Sequence, residues 1–271
     1  MTVRRGTVEQ GERRTSAIVL IHGDFGDGGD AWAPLVDQIG DRYRVVVLDR
    51  PGFRGEHVPE GRLTIAGDAQ HAFQAIRAEG IDAMHLVGHS YGGLVAIEMA
   101  VQSPDLVRSL HLIEPPLLRL LPDDPDVQTM DRRVREIQAA FPVRGSDQTT
   151  AAFFSMIGAD YVVERLRGTA EWARLCGYAA RFARNEPPGD FPLENLERLP
   201  DCLPIAVYSG GRSHPALRAI AAKLVQRPGV VAFIDVPGAG HAVQMAGAPF
   251  LEPLLRLVDE TDAEQATTRA G

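Results

Sequence analysis

The feature that most constrains the fold is a series of six short apolar runs separated by segments with helical spacing. The runs cover Ala17–Ile21, 43–48, 83–87, Val107–Ile113, 203–208 and Val230–Val236. Several are apolar without alternation, as in Ala17-Ile18-Val19-Leu20-Ile21 and Val45-Val46-Val47-Leu48. A strand with one wet face alternates, whereas a continuously apolar strand needs cover on both faces, the situation inside a parallel sheet. Segments 32–39, 64–79, 92–102 and 216–226 predict the covering helices. In 64–79, Ile65, Ala69, Ala72, Phe73 and Ile76 fall on one helical face. The expected class is therefore α/β, a mostly parallel sheet with helices on both faces.

The alternation stops after Ile113. Residues 116–200 contain no convincing strand, and 130–140, 148–157 and 161–184 predict helices bounded by prolines at 115, 116, 122, 125, 187 and 188. The chain thus divides into a first core part, 1–115, a helical cap inserted over 116–200, and a second core part, 201–271. The polar segment 259–271 is expected to fray.

Composition removes other classes. A chain of 271 residues with 45% hydrophobic and 24% charged residues can bury a substantial core. No apolar run reaches the roughly 18–20 residues of a membrane span, so no membrane partner is expected. The net charge of −8 opposes nucleic-acid binding. Two cysteines, Cys176 and Cys202, form no metal pattern and no disulfide framework, and reduced structural thiols are expected. Residues 1–16 hold four arginines and no apolar stretch, unlike a secretory leader, so a cytoplasmic location is the expectation.

The strongest chemical motif is Gly88-His89-Ser90-Tyr91-Gly92-Gly93, between the strand at 83–87 and the helix at 92–102. A serine on a sharp strand-to-helix turn has strained backbone angles and needs small residues two positions to either side. The turn lifts the hydroxyl clear of the sheet, and the helix directs its N-terminus toward developing negative charge. Eight serines in this composition give roughly 0.1 chance matches to the bare Gly-x-Ser-x-Gly pattern. Ser90 is the expected nucleophile.

With these residues the chain resembles the α/β-hydrolase superfamily over nearly its whole length, most weakly across the insert. His22-Gly23-Asp24 follows the first strand, where the family builds half of its oxyanion hole. Asp49-Arg50-Pro51-Gly52-Phe53 is similar to the family turn after the next strand, and Gly238-Ala239-Gly240-His241 stands where the family keeps its catalytic histidine. Only residues 3–8 are available for the strands that normally precede His22, so an abbreviated hairpin is expected there.

The resemblance selects His241 as base among eight histidines. His22 and His89 belong to turn motifs, His85 and His111 to strands, and His71 to a helix. His57 lacks a partner motif, and His214 occupies the region usual for the acid. That acid region is anomalous, since 203–229 contains no Asp or Glu and Ser213 occupies the usual aspartate position. A triad needs an anion to hold the imidazole. Glu114, at the end of the strand Val107–Ile113, is similar in placement to the acid of haloalkane dehalogenase-like members and cofactor-free dioxygenases. It also keeps the order Ser, acid, His.

The resemblance further implies an oxyanion hole from the N–H groups of Tyr91 and Asp24. The Asp24 carboxylate either turns away to a neighbour or meets a polar substrate group. Residues 24–30 do not match a calcium loop, so no metal is expected. Phe25, Phe153, Phe154 and Trp172 are candidates for the substrate pocket, and Met156 and Ile157 of the insert could line it with them; for the insert residues, helical spacing favours ordinary packing over ligand contact.

The implied function is a serine hydrolase cleaving a carboxylic ester or related acyl bond of a small, apolar acyl compound, without a cofactor. Two alternatives stand beside it. One is C–C bond hydrolysis or cofactor-independent oxygen chemistry with His241 as base. The other is a receptor that binds a small molecule without turnover. Substrate identity and oligomeric state are not encoded in any motif.

Overall fold

The computed structural model describes residues 16–270, with side chains described through residue 267; the expected hairpin at 3–8 lies outside the described residues. Among the described residues six strands, β1 (Ala17–Ile21), β2 (Arg44–Leu48), β3 (Met84–His89), β4 (Val107–Ile113), β5 (Ile205–Gly210) and β6 (Val230–Val236), form one sheet. Their spatial order is β2-β1-β3-β4-β5-β6, and every pairing is parallel. The unalternating runs are covered on both faces, as β1 and β3 show by complete burial. Edge strand β6 differs, because its outer side chains Val231 and Phe233 are exposed.

Helices α1 (Gly28–Ile39), α2 (Ile65–Ala78) and α3 (Tyr91–Gln102) fill the crossovers of the first half. Residues of α2 and α3, with α9 (Pro215–Leu224), cover one face of the sheet, including Ile76, Leu94 and Ile220. Trp32, Leu35 and Ile39 of α1 cover the other face with Phe250, Leu254 and Val258 of α10 (Ala248–Ala270). The segment expected to fray is therefore the continuation of α10. Asp259 accepts from Tyr43 Oη at 2.8 Å, and Asp262 accepts from Ser16 Oγ at 2.6 Å and contacts His85 Nε2 at 3.2 Å. Polar anchors rather than an apolar stripe hold that end, and hydrophobic periodicity cannot register them.

Between β4 and β5 come α4 (Pro125–Met156), α5 (Asp160–Leu166), α6 (Ala170–Cys176), α7 (Ala179–Arg184) and α8 (Glu194–Glu197). The helices expected at 130–140 and 148–157 are two arms of α4, which kinks at Gly145 (φ 67°, ψ −175°). The single helix expected at 161–184 is instead α5, α6 and α7. Gly168 at φ 87° ends the first helical stretch, and Thr169 starts the next by accepting from the Trp172 N–H at 3.1 Å. A buried aromatic and aliphatic cluster, including Phe25, Phe53, Phe153, Tyr178 and Phe182, joins this insert to the sheet's loops.

The β3–α3 turn is tightly packed by backbone atoms. A Cβ on Gly88 would lie 2.5 Å from the Gly92 carbonyl oxygen, and one on Gly92 would lie 2.4 Å from the Ile21 oxygen and 2.5 Å from the His22 oxygen. All are backbone atoms that cannot rotate away. Gly92→Ala is expected to lower unfolding stability by about 1–3 kcal/mol. Gly26→Ala, where nothing lies within 4 Å of the new Cβ, should stay within about 0.5 kcal/mol. Urea denaturation of both variants checks the contrast.

Candidate active site

Ser90 sits between β3 and α3 with φ 53° and ψ −125°, a conformation that non-glycine residues rarely adopt. Its N–H donates to the Ile113 carbonyl at 2.8 Å, and its own carbonyl accepts from the Gly93 N–H at 2.8 Å. These bonds tie the strained turn to the neighbouring strand and to the helix. Strain held in this way exposes the side chain at the carboxyl end of the sheet.

Glu114 immediately follows β4, also at positive φ (44°), and its side chain is fully buried. An isolated carboxylate there would be costly, so its hydrogen bonds decide what it can do. Oε1 accepts from the Gly210 N–H at 2.8 Å and from Ser209 Oγ at 3.3 Å. Oε2 accepts from Ser213 Oγ at 2.6 Å and from His241 Nδ1 at 2.7 Å. Four donors from β5, the following loop and the loop after β6 therefore converge on one carboxylate. Ser213, at the position where an acid was expected from the resemblance, instead donates to the Glu114 carboxylate.

His241 is held from two sides. With Nδ1–H given to Glu114, Nε2 is the nitrogen left for chemistry. The His89 ring packs against the His241 ring with centroids 4.7 Å apart, and His89 Nε2–H donates to the His241 carbonyl at 3.0 Å. Burial pushes the His89 pKa well below the ordinary histidine value, with the neighbouring His241 adding to the effect. His89 thus serves as a neutral support for the loop. Sequence reasoning classed it as a packed turn residue, and no motif signalled its bond to the His241 backbone.

The β1 loop is organised by His22. Its Nδ1–H donates to the Gly23 carbonyl at 2.8 Å, and Nε2 accepts from the Arg50 N–H at 3.1 Å. Burial, reinforced by the positive charge of Arg50, lowers its pKa well below normal and keeps the ring neutral. Gly23 packs so closely that a Cβ there would lie 2.9 Å from Ser90 Cβ. Tyr91 opens α3, so its N–H has no intrahelical acceptor. No turn bond claims the Asp24 N–H.

The aspartates of 24–30 are each separately engaged. Asp27 caps α1 by accepting from the Asp30 N–H at 3.0 Å, and its Oδ2 accepts from Tyr178 Oη at 3.1 Å. Asp30 pairs with Arg174 at 2.7 Å. Asp24 Oδ1 accepts from Arg50 Nη1 at 3.0 Å and from Asn185 Nδ2 at 2.8 Å. Asp68 links Arg50 Nε at 2.8 Å to Arg181 Nη2 at 2.6 Å. A buried, charge-balanced network therefore joins the β1 loop, the β2 loop, α2 and α7. Neither Asp68 nor Arg181 was singled out in the sequence, because lone charged residues on helices give no pattern.

Ser90, His241, Asp24 and Tyr91 line one cavity of about 30 Å³, closed by Leu118, Met130, Val134, Phe153, Ile157 and Leu217 among others. Of the expected pocket residues, Phe153, Met156 and Ile157 line the cavity. Phe25 stacks behind Phe153 at 4.4 Å and Phe154 meets its edge at 5.7 Å, while Trp172 Nε1 donates to Asp147 at 2.8 Å. Phe25, Phe154 and Trp172 therefore back the cavity rather than line it. A larger depression of about 630 Å³, bordered by Glu60, Arg62, Gln138 and Asn185, contains none of Ser90, Glu114 and His241. Both cysteines are free, and among the described residues no helix is long and apolar enough to cross a membrane.

Known proteins place these features in context. The acyltransferase "Dihydrolipoyllysine-residue acetyltransferase component of acetoin cleaving system" of Cupriavidus necator is 40% identical over 99 residues, which is 36% of this chain and 26% of that protein. The pimeloyl-[acyl-carrier protein] methyl ester esterase of Aeromonas hydrophila is 36% identical over 98 residues, 34% of this chain and 35% of that protein. The matches thus span about a quarter to a third of these relatives. Among solved structures, MenH from S. aureus superposes with a TM-score of 0.71 at 14% identity, covering 94% of this chain and 97% of that one. A thermophilic esterase from Thermogutta terrifontis gives 0.63 at 23% identity, covering 94% and 89%. These two share the fold. The family model described as alpha/beta hydrolase family matches residues 18–260, from β1 into α10, and the chain belongs to that family.

Proposed function

We propose that the chain is a serine hydrolase that cleaves a carboxylic ester or related acyl bond beneath a helical cap. The observation that carries the reading is the Glu114–His241 contact of 2.7 Å, made by a fully buried carboxylate beside the cavity that Ser90 lines. In this mechanism Ser90 Oγ attacks the acyl carbon while His241 Nε2 takes its proton. Glu114 fixes the imidazole tautomer and stabilises the imidazolium. The N–H groups of Tyr91 and Asp24 receive the negative charge on the carbonyl oxygen, and the α3 N-terminus reinforces them. His241 then protonates the departing group, and water releases the acyl-enzyme by the same steps in reverse.

The cap positions the substrate and excludes water. Its cavity surface is mostly aliphatic and aromatic, which fits an apolar acyl portion of modest size. The esterase among the relatives supports acyl-bond hydrolysis, although that match covers only part of each chain. One observation favours a second reading. Ser90 Oγ makes no hydrogen bond among the described residues. His241 Nε2 could therefore remove a substrate proton directly, in C–C cleavage or cofactor-independent oxygenation.

A fluorophosphonate probe is expected to label the native protein on Ser90, and Ser90→Ala should abolish labelling. Undiminished turnover of a C–C or oxygenation substrate by Ser90→Ala would select the second reading. Glu114→Gln should lower ester hydrolysis by about 10³–10⁴-fold with circular dichroism unchanged. Because Ser213 Oγ already touches Glu114 Oε2, Glu114→Gln combined with Ser213→Asp should recover at least tenfold of that loss. A loss of tenfold or less in the single variant would place the acid elsewhere.

A further inference from the structure

We propose that Asp24 recognises the substrate, its free carboxylate oxygen accepting a hydrogen bond from a neutral donor next to the scissile carbonyl. The donor is a hydroxyl or an amide N–H. This specificity rests on the serine-hydrolase reading of Ser90.

The geometry divides the two Asp24 oxygens between different tasks. Both of its protein hydrogen bonds, from Arg50 Nη1 and Asn185 Nδ2, fall on Oδ1. They come from opposite sides, one from the loop after β2 and the other from the end of α7, and together they fix the carboxylate's orientation. Oδ2 accepts no bond from any described residue. Yet Asp24 lines the cavity beside Ser90 and His241, with its side chain only 8% exposed. Oδ2 is not among the sealed, unpartnered atoms, so a donor arriving in the cavity can reach it and complete its hydrogen bonding.

Charge balance selects the kind of donor. Asp24 and Asp68 are matched by Arg50 and Arg181, all four buried. Neither arginine lines the cavity, so a substrate meets the carboxylate oxygen and not its counter-charges. A substrate carboxylate would face like charge. An ammonium would bring an unmatched positive charge into an otherwise balanced, largely apolar enclosure. A hydroxyl or amide N–H satisfies Oδ2 without adding charge, and the Asp24 backbone N–H, read as an oxyanion donor, sets that contact close to the reacting carbonyl.

Asparagine at position 24 makes the opposite prediction. Arg50 Nη1 and Asn185 Nδ2 are both donors, so they would hold the amide oxygen in the Oδ1 place. The amide nitrogen would then point into the cavity as a donor. Asp24→Asn therefore exchanges an acceptor for a donor at the same point.

The test compares p-nitrophenyl 2-hydroxyalkanoate with the 2-fluoroalkanoate of equal chain length, each kcat/KM divided by the ester's rate constant with hydroxide. Fluorine is close to hydroxyl in size and withdraws electrons but cannot donate. The native enzyme should prefer the hydroxy ester by about 10- to 100-fold, and Asp24→Asn should abolish or invert that preference. A native ratio near one overturns the proposal without any variant, and so does a preference that Asp24→Asn leaves unmoved. If either occurs while fluorophosphonate still labels Ser90, the hydrolase reading survives alone. No turnover of either ester together with an unlabelled Ser90 overturns the hydrolase reading and this proposal with it.

Discussion

The structure depends on satisfying the hydrogen bonds of one carboxylate in a place with no solvent. Glu114 is completely buried, and its oxygens are satisfied by Gly210, Ser209, Ser213 and His241. Removing any of these donors leaves part of a buried charge uncompensated. The convergence therefore fixes more than one histidine. It holds the loop after β5 against the end of β4 and draws the loop after β6 over both. A further bond from His89 to the His241 carbonyl ties the same loop to the turn that carries Ser90. The carboxyl ends of β3, β4, β5 and β6 are thus joined through one small polar centre in an otherwise apolar sheet.

A second polar centre lies on the other side of Ser90. Arg50, Asp68, Arg181, Asn185 and Asp24 connect the sheet's loops to α7. Removing one partner from such a network strands buried charge, so the two arginines and two aspartates form a unit. The network ties the inserted helices to the sheet's loops and holds the Asp24 carboxylate between Arg50 and Asn185. It also answers the oddity of an acidic residue in the loop expected to stabilise an oxyanion. The Asp24 carboxylate is turned to Arg50 and Asn185, and no backbone bond among the described residues claims its N–H.

The sheet and the motif at Ser90 were legible because both arise from local, repetitive constraints. Continuous apolar strands require cover on two faces, and the glycines around Ser90 are required by backbone contacts shorter than 3 Å. Glu114 was legible through an absence, the empty stretch of acids between Leu203 and Gly229. Its clasp by Ser213 was not, since a serine carries no sign of which distant carboxylate it will meet. The network through Asp68 and Arg181 was hidden for the same reason, its partners standing 113 residues apart. Breaks such as Gly168 divide the expected 161–184 helix, whereas the end of α10 holds through Asp259 and Asp262. Apolar periodicity is silent about polar anchors, and it also overstated the cavity wall by not separating Phe153 from the aromatics behind it.

The central claim is that acyl transfer passes through Ser90 with His241 and Glu114 behind it. Its most direct test is acid quenching of an ester reaction during turnover, followed by peptide mass mapping. The account predicts an added acyl mass on the peptide carrying Ser90, formed and lost fast enough to sustain the steady-state rate. Sustained hydrolysis with Ser90 unmodified at every quench time, under conditions where deacylation limits the rate, would contradict it.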